Sequence, residues 1–497
     1  MQKPTREELI ALAKADPEAI ADLVLSLWAR VEALEQLETR IAELERNSRS
    51  SSKPPSTDKG NFTNPPKPKS LRGKTGKKPG GQKGHPGSTL EKVTSPDHIE
   101  VHHFAPDQAC PGCGQHFSES SATQPAEYEV RQVFDIPPIK LQVTEHRAHK
   151  CTCQGCGKKL TATFPTGVNA PAQYGPNVQA AALYLGSYQL VPYQRLSEAF
   201  AELFDCPLSA GTLANIVKSG GKKAAITMEP IREALVAGPV LHADETGCTL
   251  HGKRHWLHVL STDRLTCYHL DPKRGREAME RMGLLPRFKN LLIHDCLGAY
   301  FTFSECRHGL CNAHLQRELT YLHEELDQSW AAEMIDLLLE AKDLAERELA
   351  RDDQRHRIIG KGRLEKILGS YHAILNRGYL LNPEPPPKPK GQRGRVKRGK
   401  TLNLLDRLSL RWEQILGYFL YPGLYPYDNN QAERDVRPMK VREKISGTFR
   451  SEKHGESFCD IRSVISSARK QGRAMLGTLV ELLHSPGTLG RSLAQGT

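Results

Sequence analysis

The sequence contains no apolar run that approaches the roughly 18 residues needed by a membrane-spanning helix. Its first residues, MQKPTREELIALAKADPE, also lack the apolar segment of a secretory signal peptide. Cysteine is scarce, with 12 residues in a chain of 497, which is too few for a disulfide scaffold. These absences argue against membrane and disulfide-rich secreted proteins, and we expect a cytoplasmic protein with no membrane partner.

Positive charge, in contrast, is in excess. Lys and Arg number 69 against 57 Asp and Glu, which gives a net charge of +12 and favours nucleic acid as a partner. Two Pro- and Gly-rich segments carry much of it: residues 49–83 hold ten basic residues and one acid, and residues 383–400 hold seven and one. We expect both segments to be disordered. They are either phosphate-binding segments, the interpretation we favour, or merely solvated linkers. The residues predicted here to contact DNA are Lys74, Lys77, Lys78, Lys83, Arg393, Arg395, Lys397 and Arg398.

Apolar residues near the N-terminus recur with the three- and four-residue steps of a heptad repeat. They are Ile20, Val24, Leu27, Val31, Leu34, Leu37, Ile41 and Leu44. The pattern predicts a short coiled coil and hence a homo-oligomer. An amphipathic helix packed on its own protein has the same pattern over so short a length.

Five cysteines lie close together, in CPGCG at residues 110–114 and in CTCQGCG at residues 151–157. Two CxxC pairs are typical of a tetrahedral zinc site, and four thiolates leave no position open for chemistry, so the zinc should be structural. We assign Cys110, Cys113, Cys153 and Cys156 as ligands, with Cys151 as the alternative to Cys153. The alternation of EVRQVFDIPPIKLQVTEH, residues 129–146, predicts strands of a zinc-ribbon-like hairpin. A redox role for the CxxC pairs is the competing interpretation.

Residues 172–236 have helical patterns, with a turn near residues 205–208 and Ser209 as an N-cap. This arrangement indicates either a helix-turn-helix or a plain helical hairpin.

Beyond residue 237 the pattern changes to strands. PVLHADETG, RHWLHVLST and RLTCYHLD are predicted strands, GREAMERMGLL a helix, and NLLIHDCLGAY a fourth strand. This order is typical of a ribonuclease-H-like sheet, in which the first and fourth strands are parallel neighbours. Asp244 and Asp295 would then lie a few ångströms apart, an arrangement that a divalent cation stabilises.

Several motifs extend this pattern in order along the chain: SSKPPSTD at 51–58, KKPGGQKGHPG at 77–87, the two cysteine motifs, HADETG at 242–247, HDCLGAY at 294–300, LCNAHLQREL at 310–319 and NNQAERDVRP at 429–438. Together they resemble the bacterial insertion-sequence-sixty-six family of DDE transposases, TnpC type. The resemblance implies a catalytic triad of Asp244, Asp295 and Glu433, interrupted by a helical insertion. It also implies two Mg²⁺ ions, or Mn²⁺, held by these acids, with cleavage and 3′-hydroxyl strand transfer on double-stranded transposon-end and target DNA. Companion transposition proteins are possible partners.

The third acid lies in YDNNQAERDVRP, where Asp428 or Asn429 is the predicted cap of a helix that would place Glu433 and Arg437 one turn apart. Arg434 and Arg437 would then hold the DNA backbone close to the metal ions. Asp435 and Glu443 are competing acids: Asp435 lies about 200° around the helix from Glu433.

Four other residues are predicted to support the acids without holding the metal: Glu245, His294, Cys311 and His314. Strand alternation puts Glu245 on the face opposite Asp244. The CxxH pair formed by Cys311 and His314 is interpreted as a packed, hydrogen-bonded element, since no further ligands are evident in the sequence.

The sequence thus predicts a multi-domain α+β protein with a ribonuclease-H-like α/β catalytic core. The predicted domains are a coiled coil (1–47), a basic linker (48–96), a zinc-binding domain (97–168), a helical helix-turn-helix-like domain (169–236), a first core part (237–314), a helical insertion (315–425) and a second core part with C-terminal helices (426–497). Two other functions use the same features. One is a catalytically silent, zinc-dependent DNA-binding regulator, against which the intact acids argue; the other is a structure-specific nuclease, which seldom carries a coiled coil, a zinc domain and two basic linkers. The cytoplasmic location would be with the nucleoid.

Overall fold

The computed structural model describes residues 25, 89–102, 108–116, 129–350, 359–386, 396 and 398–496. The predicted coiled coil, apart from Leu25, and the first basic segment lie outside the described residues, as do Arg393, Arg395 and Lys397. The chain divides into two compact units, residues 61–141 and the remainder, which are described separately. None of the described helices is both long and apolar enough to span a bilayer.

The strands form a short hairpin and one larger sheet. The hairpin pairs β1 (Lys150–Thr152) with β2 (Lys159–Thr161), and the sheet contains β3 (Val240–Leu250), β4 (Lys253–Ser261), β5 (Thr266–Asp271), β6 (Leu291–His294) and β7 (Arg307–Leu310). The order across the sheet is β5-β4-β3-β6-β7. β4 is antiparallel to both its neighbours, whereas β6 is parallel to β3 and to β7. The predicted adjacency of the first and fourth core strands is therefore confirmed, and β7 is an additional strand.

Fourteen α-helices are described, all in the unit that excludes residues 61–141. They are α1 (Pro176–Leu183), α2 (Tyr193–Phe204), α3 (Ala210–Ala237), α4 (Arg276–Met282), α5 (Asn312–Leu326), α6 (Ser329–Leu349), α7 (Lys361–Leu381), α8 (Lys400–Leu410), α9 (Trp412–Ile415), α10 (Gly417–Leu420), α11 (Asn430–Ser446), α12 (Glu452–Lys470), α13 (Met475–His484) and α14 (Pro486–Gln495).

The long strand β3 turns into β4 through a two-residue hairpin loop. His251 and Gly252 have φ values of 47° and 73°. Positive φ at both positions is what a type I′ turn requires, and this turn matches the right-handed twist of the two strands. β3 therefore pairs with the whole of β4, from His242 opposite Ser261 to Leu250 opposite Lys253.

The helix that follows the predicted turn begins where the sequence indicates. Ser209 is the N-cap of α3, and its Oγ accepts a hydrogen bond of 3.0 Å from the backbone N–H of Thr212. From Leu213 to Leu235, α3 buries apolar side chains in the same core as Leu241 of β3. The opposite face of α3, with Lys218 and Lys222, is exposed, so this packing is compatible with either a plain helical hairpin or a helix-turn-helix.

Two other clusters complete the core of this unit. The insertion helices pack around their own apolar centre, in which Trp330 and Tyr371 are fully buried. On the sheet, Ala432 and Met439 of α11 pack with Val259 of β4. The same cluster contains Cys248 and Leu250 of β3, so α11 is fixed against the strand that carries Asp244.

The prediction of strands between the cysteine motifs is wrong. Residues 129–149, all of which are described, contain no helix or strand, and the hairpin forms later, at residues 150–161. Val133 and Val143 are 91% and 89% exposed. Alternation predicts a half-buried strand only where a partner strand and an apolar surface exist, and these side chains have no such surface.

Candidate active site

Two carboxylates lie at neighbouring positions on adjacent parallel strands. His242 of β3 pairs with Ile293 of β6, and continuing that register by two residues brings Asp244 opposite Asp295. Asp295 directly follows the last residue of β6 and is 5% exposed, while Asp244 is half-buried within β3. The sheet therefore carries both acids to one location.

The carboxylates share a site that disfavours negative charge. Burial raises the pKa of Asp244 well above its usual value, and Glu245, Asp295 and Glu433 raise it further. Burial likewise raises the pKa of Asp295 to about 7, with Glu245 as the next largest cause. Carboxylates crowded in this way are stabilised in their ionised form by a bound cation.

The loop after β6 fixes the position of Asp295. Its Oδ1 accepts a hydrogen bond of 3.0 Å from the Leu297 N–H, and Cys296 between them has φ of 76°, a conformation that non-glycine residues rarely adopt. The buried His294 supports this strained residue, because its Nδ1 accepts the Cys296 N–H at 3.2 Å. Its Nε2 must then carry the ring proton and donate to Nδ1 of His308 at 3.1 Å.

Glu245, the neighbour of Asp244, is bound to other protein groups. It is 1% exposed; its Oε1 accepts hydrogen bonds of 2.9 and 2.7 Å from the guanidinium of Arg274, and its Oε2 accepts one of 2.7 Å from the Tyr300 hydroxyl. Trp256 lies beneath Arg274, with 4.9 Å from the guanidinium carbon to the ring centroid. Because both of its carboxylate oxygens already accept hydrogen bonds from Arg274 and Tyr300, Glu245 is a poor candidate for a metal ligand.

Glu433 lies in the first turn of α11, the helix that packs against β3 and β4. Its charge contributes to the raised pKa of Asp244. The helix continues through Pro438 to Ser446, although proline at that position cannot donate its backbone hydrogen bond. Arg434 and Arg437 on the same helix are exposed, as expected of residues that contact a ligand in solvent.

Asn429, at the start of α11, ties the helix to β3 and α5. It is fully buried; its Nδ2 donates to the Ala243 carbonyl at 2.7 Å, its Oδ1 accepts from Nδ1 of His242 at 2.9 Å, and its backbone N–H donates to Sγ of Cys311 at 3.1 Å. Asn312 at the start of α5 adds a bond from Nδ2 to the Tyr427 carbonyl at 3.2 Å. These bonds set the position of Glu433 relative to Asp244.

The predicted CxxH pair lies against Glu433. Oε1 of Glu433 is 3.3 Å from Nδ1 of His314 and 3.2 Å from the guanidinium of Arg317. Burial, with the charges of Arg317 and Arg407, lowers the pKa of His314 to about 3, so its ring is neutral. Within the described part of the chain, Cys311, His314 and Glu433 form the group whose possible ligand atoms all lie within 4.8 Å of one another; the three acids are not gathered so tightly.

The two competing acids of α11 have structural partners. Asp435 forms an ion pair of 2.8 Å with Lys470, and both side chains are largely buried. Glu443 accepts a hydrogen bond of 2.8 Å from the Thr249 N–H of β3. These contacts favour Glu433 over either residue as the third acid.

The two predicted zinc-binding motifs have the same local geometry, each within its own unit. In the first, the Gly114 N–H donates to the Cys110 carbonyl at 2.8 Å, with Gly114 at φ of 75°. In the second, the Gly157 N–H donates to the Cys153 carbonyl at 2.8 Å, with Gly157 at φ of 70°. Cys151 instead lies in strand β1, so the geometry favours Cys153 as the partner of Cys156.

Backbone N–H groups favour the thiolate form of one cysteine in each motif. Those of Gly112 and Cys113 lower the pKa of Cys110. Those of Cys156 and Gly155 lower the pKa of Cys153. Amides directed at sulfur favour the thiolate, which is the form that binds zinc.

Arg398 is the one residue predicted to bind DNA in the basic segment 383–400 whose structure is described. Its guanidinium is paired with Asp406 and with Glu384, and the side chain is 17% exposed. Arg398 therefore has acidic partners within the protein, unlike the exposed Arg434 and Arg437.

Comparisons with known families agree with these features. Residues 107–157 match the zinc-finger binding domain of transposase IS66, so the protein is of the transposase class and carries a domain for structural zinc. Residues 171–457, more than half of the chain, match the Transposase IS66 family. The chain therefore belongs to the IS66 transposase family. Residues 1–91 match a family of unknown function, and a comparison with curated proteins finds no match.

Several residues that shape the site are absent from the sequence prediction. Arg274 and Tyr300 hold Glu245, His308 holds His294, and Arg317 contacts Glu433. Tyr300 lies inside the quoted HDCLGAY motif, which is the one local signal for it. Arg317 lies inside the LCNAHLQREL motif in the same way. Arg274 lies outside these motifs, and its partner Glu245 is 29 residues away.

Proposed function

We propose that this transposase binds transposon ends, cleaves phosphodiester bonds there and joins the freed 3′-hydroxyl to target DNA, using Asp244, Asp295 and Glu433. The observation that supports this most is the convergence of Asp244 and Asp295 on adjacent parallel strands, with Glu433 on a helix packed against the same sheet. The strand order β5-β4-β3-β6-β7, with β4 antiparallel and β6 parallel to β3, agrees with a ribonuclease-H-like core.

The donor set of the three acids fits a hard divalent cation. Oxygen ligands from carboxylates suit Mg²⁺ or Mn²⁺, and the raised pKa values of Asp244 and Asp295 indicate that the folded site needs positive charge. We propose that Asp244, Asp295 and Glu433 would hold two such ions. When bound, the ions would supply charge neutralisation at the attacking and leaving oxygens of phosphodiester exchange.

The remaining chemistry is assigned to the chain's own side chains. The exposed guanidiniums of Arg434 and Arg437 would hold backbone phosphates of DNA beside Glu433, since planar guanidiniums suit phosphate oxygens. Asn429 would keep α11 in register with β3. The strained Cys296 and the buried His294 would hold Asp295 in one orientation.

The reaction balances in two displacements at phosphorus. In the first, water attacks a phosphodiester at the transposon end, the P–O bond to the 3′ oxygen breaks, and a 3′-hydroxyl is released. In the second, that hydroxyl attacks a target phosphodiester and forms a new P–O bond, while the P–O bond to the target's own 3′ oxygen breaks. The leaving oxygen takes up a proton and departs as a target 3′-hydroxyl. Both steps need the same charge stabilisation, so one site serves for both.

The other parts of the chain are assigned to DNA binding and assembly. Cys110, Cys113, Cys153 and Cys156 would hold one structural Zn²⁺. The basic segments 49–83 and 383–400 would neutralise phosphates without reading sequence. The N-terminal heptads would form a homo-oligomer, companion proteins would join the complex, and the protein would act on the nucleoid.

A labelled DNA duplex that carries the element's own ends tests the proposal. With Mg²⁺ and a target plasmid, the purified protein should produce 3′-ended fragments and covalently joined products. Fragments without joining would indicate a nuclease, and binding without fragments would indicate a silent regulator. Either result would overturn the proposed function.

A further inference from the structure

The contact between the CxxH pair and the proposed third acid has a geometry that a hydrogen bond does not explain. Nδ1 of His314 lies 3.3 Å from Oε1 of Glu433, yet this buried nitrogen has no hydrogen-bond partner. Two ligands bound at about 2.0 to 2.1 Å from one tetrahedral ion are themselves roughly 3.3 Å apart. The spacing of the two atoms is therefore that of ligands which share a metal ion.

The third member of the group is a sulfur at the start of α5. Cys311 is 3% exposed and is the N-cap residue of that helix. The backbone N–H of Asn429 donates to its Sγ at 3.1 Å. Burial and the Glu433 carboxylate raise the pKa of the Cys311 thiol to about 12, although the Asn429 N–H lowers it, so the sulfur would lose its proton only to a bound metal ion.

From this group we infer a second metal site, in which Cys311, His314 and Glu433 bind a transition-metal ion of the zinc type. A thiolate, an imidazole and a carboxylate are the ligands that Zn²⁺ takes in proteins, whereas Mg²⁺ avoids sulfur and nitrogen. The position is distinct from the paired cysteine motifs, which have no member in this group.

A small cavity lies beside two of the three ligands. Its lining includes Cys311, His314 and Asp295 but not Glu433, and we take it as the fourth coordination position. Three protein ligands with an open position allow the ion to exchange, unlike a closed site of four thiolates. We therefore assign this site to a reversibly bound ion.

Binding at this site would have a consequence for cleavage, and this consequence alone rests on the proposed function. Glu433 would be drawn to the transition metal, and its carboxylate would be less available beside Asp244. Zinc added at constant Mg²⁺ would then inhibit DNA cleavage, and a Cys311→Ser variant would resist that inhibition.

Metal content tests the site without any activity. The full chain is dialysed against a zinc-buffered solution, its bound zinc is measured at equilibrium with that buffer, and the protein is then reconstituted with Co²⁺ to record absorption from cobalt–thiolate bonds. With one structural ion in the cysteine motifs, the wild type should hold about two zinc ions per chain, and Cys311→Ser and His314→Gln about one each. Cys306→Ser is the matched control, since Cys306 is buried near the sheet but lies outside the group, and it should keep both ions.

Two results would overturn the inference. One is equal zinc content in the wild type, Cys311→Ser and His314→Gln. The other is loss of zinc from Cys306→Ser as well, which would mean that any buried cysteine change disturbs the metal content. Thermal unfolding of each variant separates misfolding from ligand loss, because His314→Gln removes a ligand without creating a cavity. If the wild type holds two ions but cleaves no DNA, the site stands and the proposed function fails.

Discussion

The substitution Asp295→Asn should stabilise the protein in the absence of Mg²⁺, and should do so more at pH 8 than at pH 5. Burial raises the pKa of Asp295 from 3.8 to about 7. An acid whose pKa is raised on folding binds its proton more tightly in the folded state than in the unfolded state. The free energy of unfolding is therefore highest at low pH, where the acid is protonated in both states, and it falls as pH rises from about 4 to 7. Asparagine cannot ionise and escapes this loss.

The magnitude follows from the two pKa values. One pKa unit corresponds to about 1.36 kcal/mol, so full ionisation of Asp295 costs the folded state about 4 kcal/mol. Between pH 5 and pH 8 the part of this cost that appears is about 2 to 3 kcal/mol. The asparagine side chain keeps an oxygen that can accept the hydrogen bond that Asp295 Oδ1 accepts from the Leu297 N–H at 3.0 Å. Any change in unfolding free energy that the amide causes equally at both pH values cancels when the two values are compared.

Urea unfolding followed by tryptophan fluorescence measures the effect, because Trp256 lies on the strand beside β3. The free energy of unfolding of Asp295→Asn relative to wild type should rise by about 2 to 3 kcal/mol from pH 5 to pH 8. Glu305→Gln is the matched control, because Glu305 is exposed in the loop ahead of β7 and should follow the wild type at both pH values. A constant difference between Asp295→Asn and wild type, or one that falls with pH, would refute the reasoning.

Three further predictions concern the surroundings of the site and the DNA-binding regions. Arg274→Met should lower the free energy of unfolding by about 3 to 5 kcal/mol, because it leaves the buried Glu245 without its charge partner. The control Arg276→Met breaks an exposed pair with Glu280 and should lower it by less than about 0.5 kcal/mol. Equal losses would contradict a stabilising role for the buried ion pair. Cys110→Ser and Cys156→Ser should each release the structural zinc while Cys151→Ser retains it, and zinc loss from Cys151→Ser alone would reverse the ligand assignment. DNA affinity should fall by a factor of about 10³ to 10⁵ between 50 and 200 mM salt if 6 to 10 phosphates are neutralised, and a flat dependence would remove the role of the basic segments.

Periodicity along the chain was sufficient to predict the strands that carry the first two acids. Strands with a buried face alternate in hydrophobicity, and β3 to β6 follow the predicted order. The short strand β7, Arg307–Leu310, has four residues and begins with two polar side chains, so no pattern indicates it. Residues 129–149 have the alternation but lack a partner strand. Local pattern therefore predicts an element only where tertiary packing supplies the surface that the pattern requires.

The candidate site divides in the same way. Asp244 and Asp295 lie at strand positions and could be predicted from topology, whereas the Glu433 assignment came from family resemblance. The contact between Glu433 and His314 depends on how α11 packs against α5. The two residues are more than one hundred positions apart, so no local sequence pattern predicts their contact. Asn429, which joins these elements, is the first residue of the NNQAERDVRP motif, but its bonds to Cys311 and Ala243 span more than one hundred residues and could not be predicted.

DNA cleavage by matched variants tests the central claim most directly. Labelled transposon-end DNA and Mg²⁺ are incubated with the wild type, Asp244→Asn, Asp295→Asn, Glu433→Gln and Asp435→Asn. Asp435 lies on the same helix as Glu433 but is paired with Lys470, so its variant should lose some stability and keep most of the activity. We expect Asp244→Asn, Asp295→Asn and Glu433→Gln to bind the DNA as tightly as the wild type and neither to cleave nor to join it. Cleavage by Glu433→Gln at the wild-type rate, or inactivity of Asp435→Asn when folded, would contradict it.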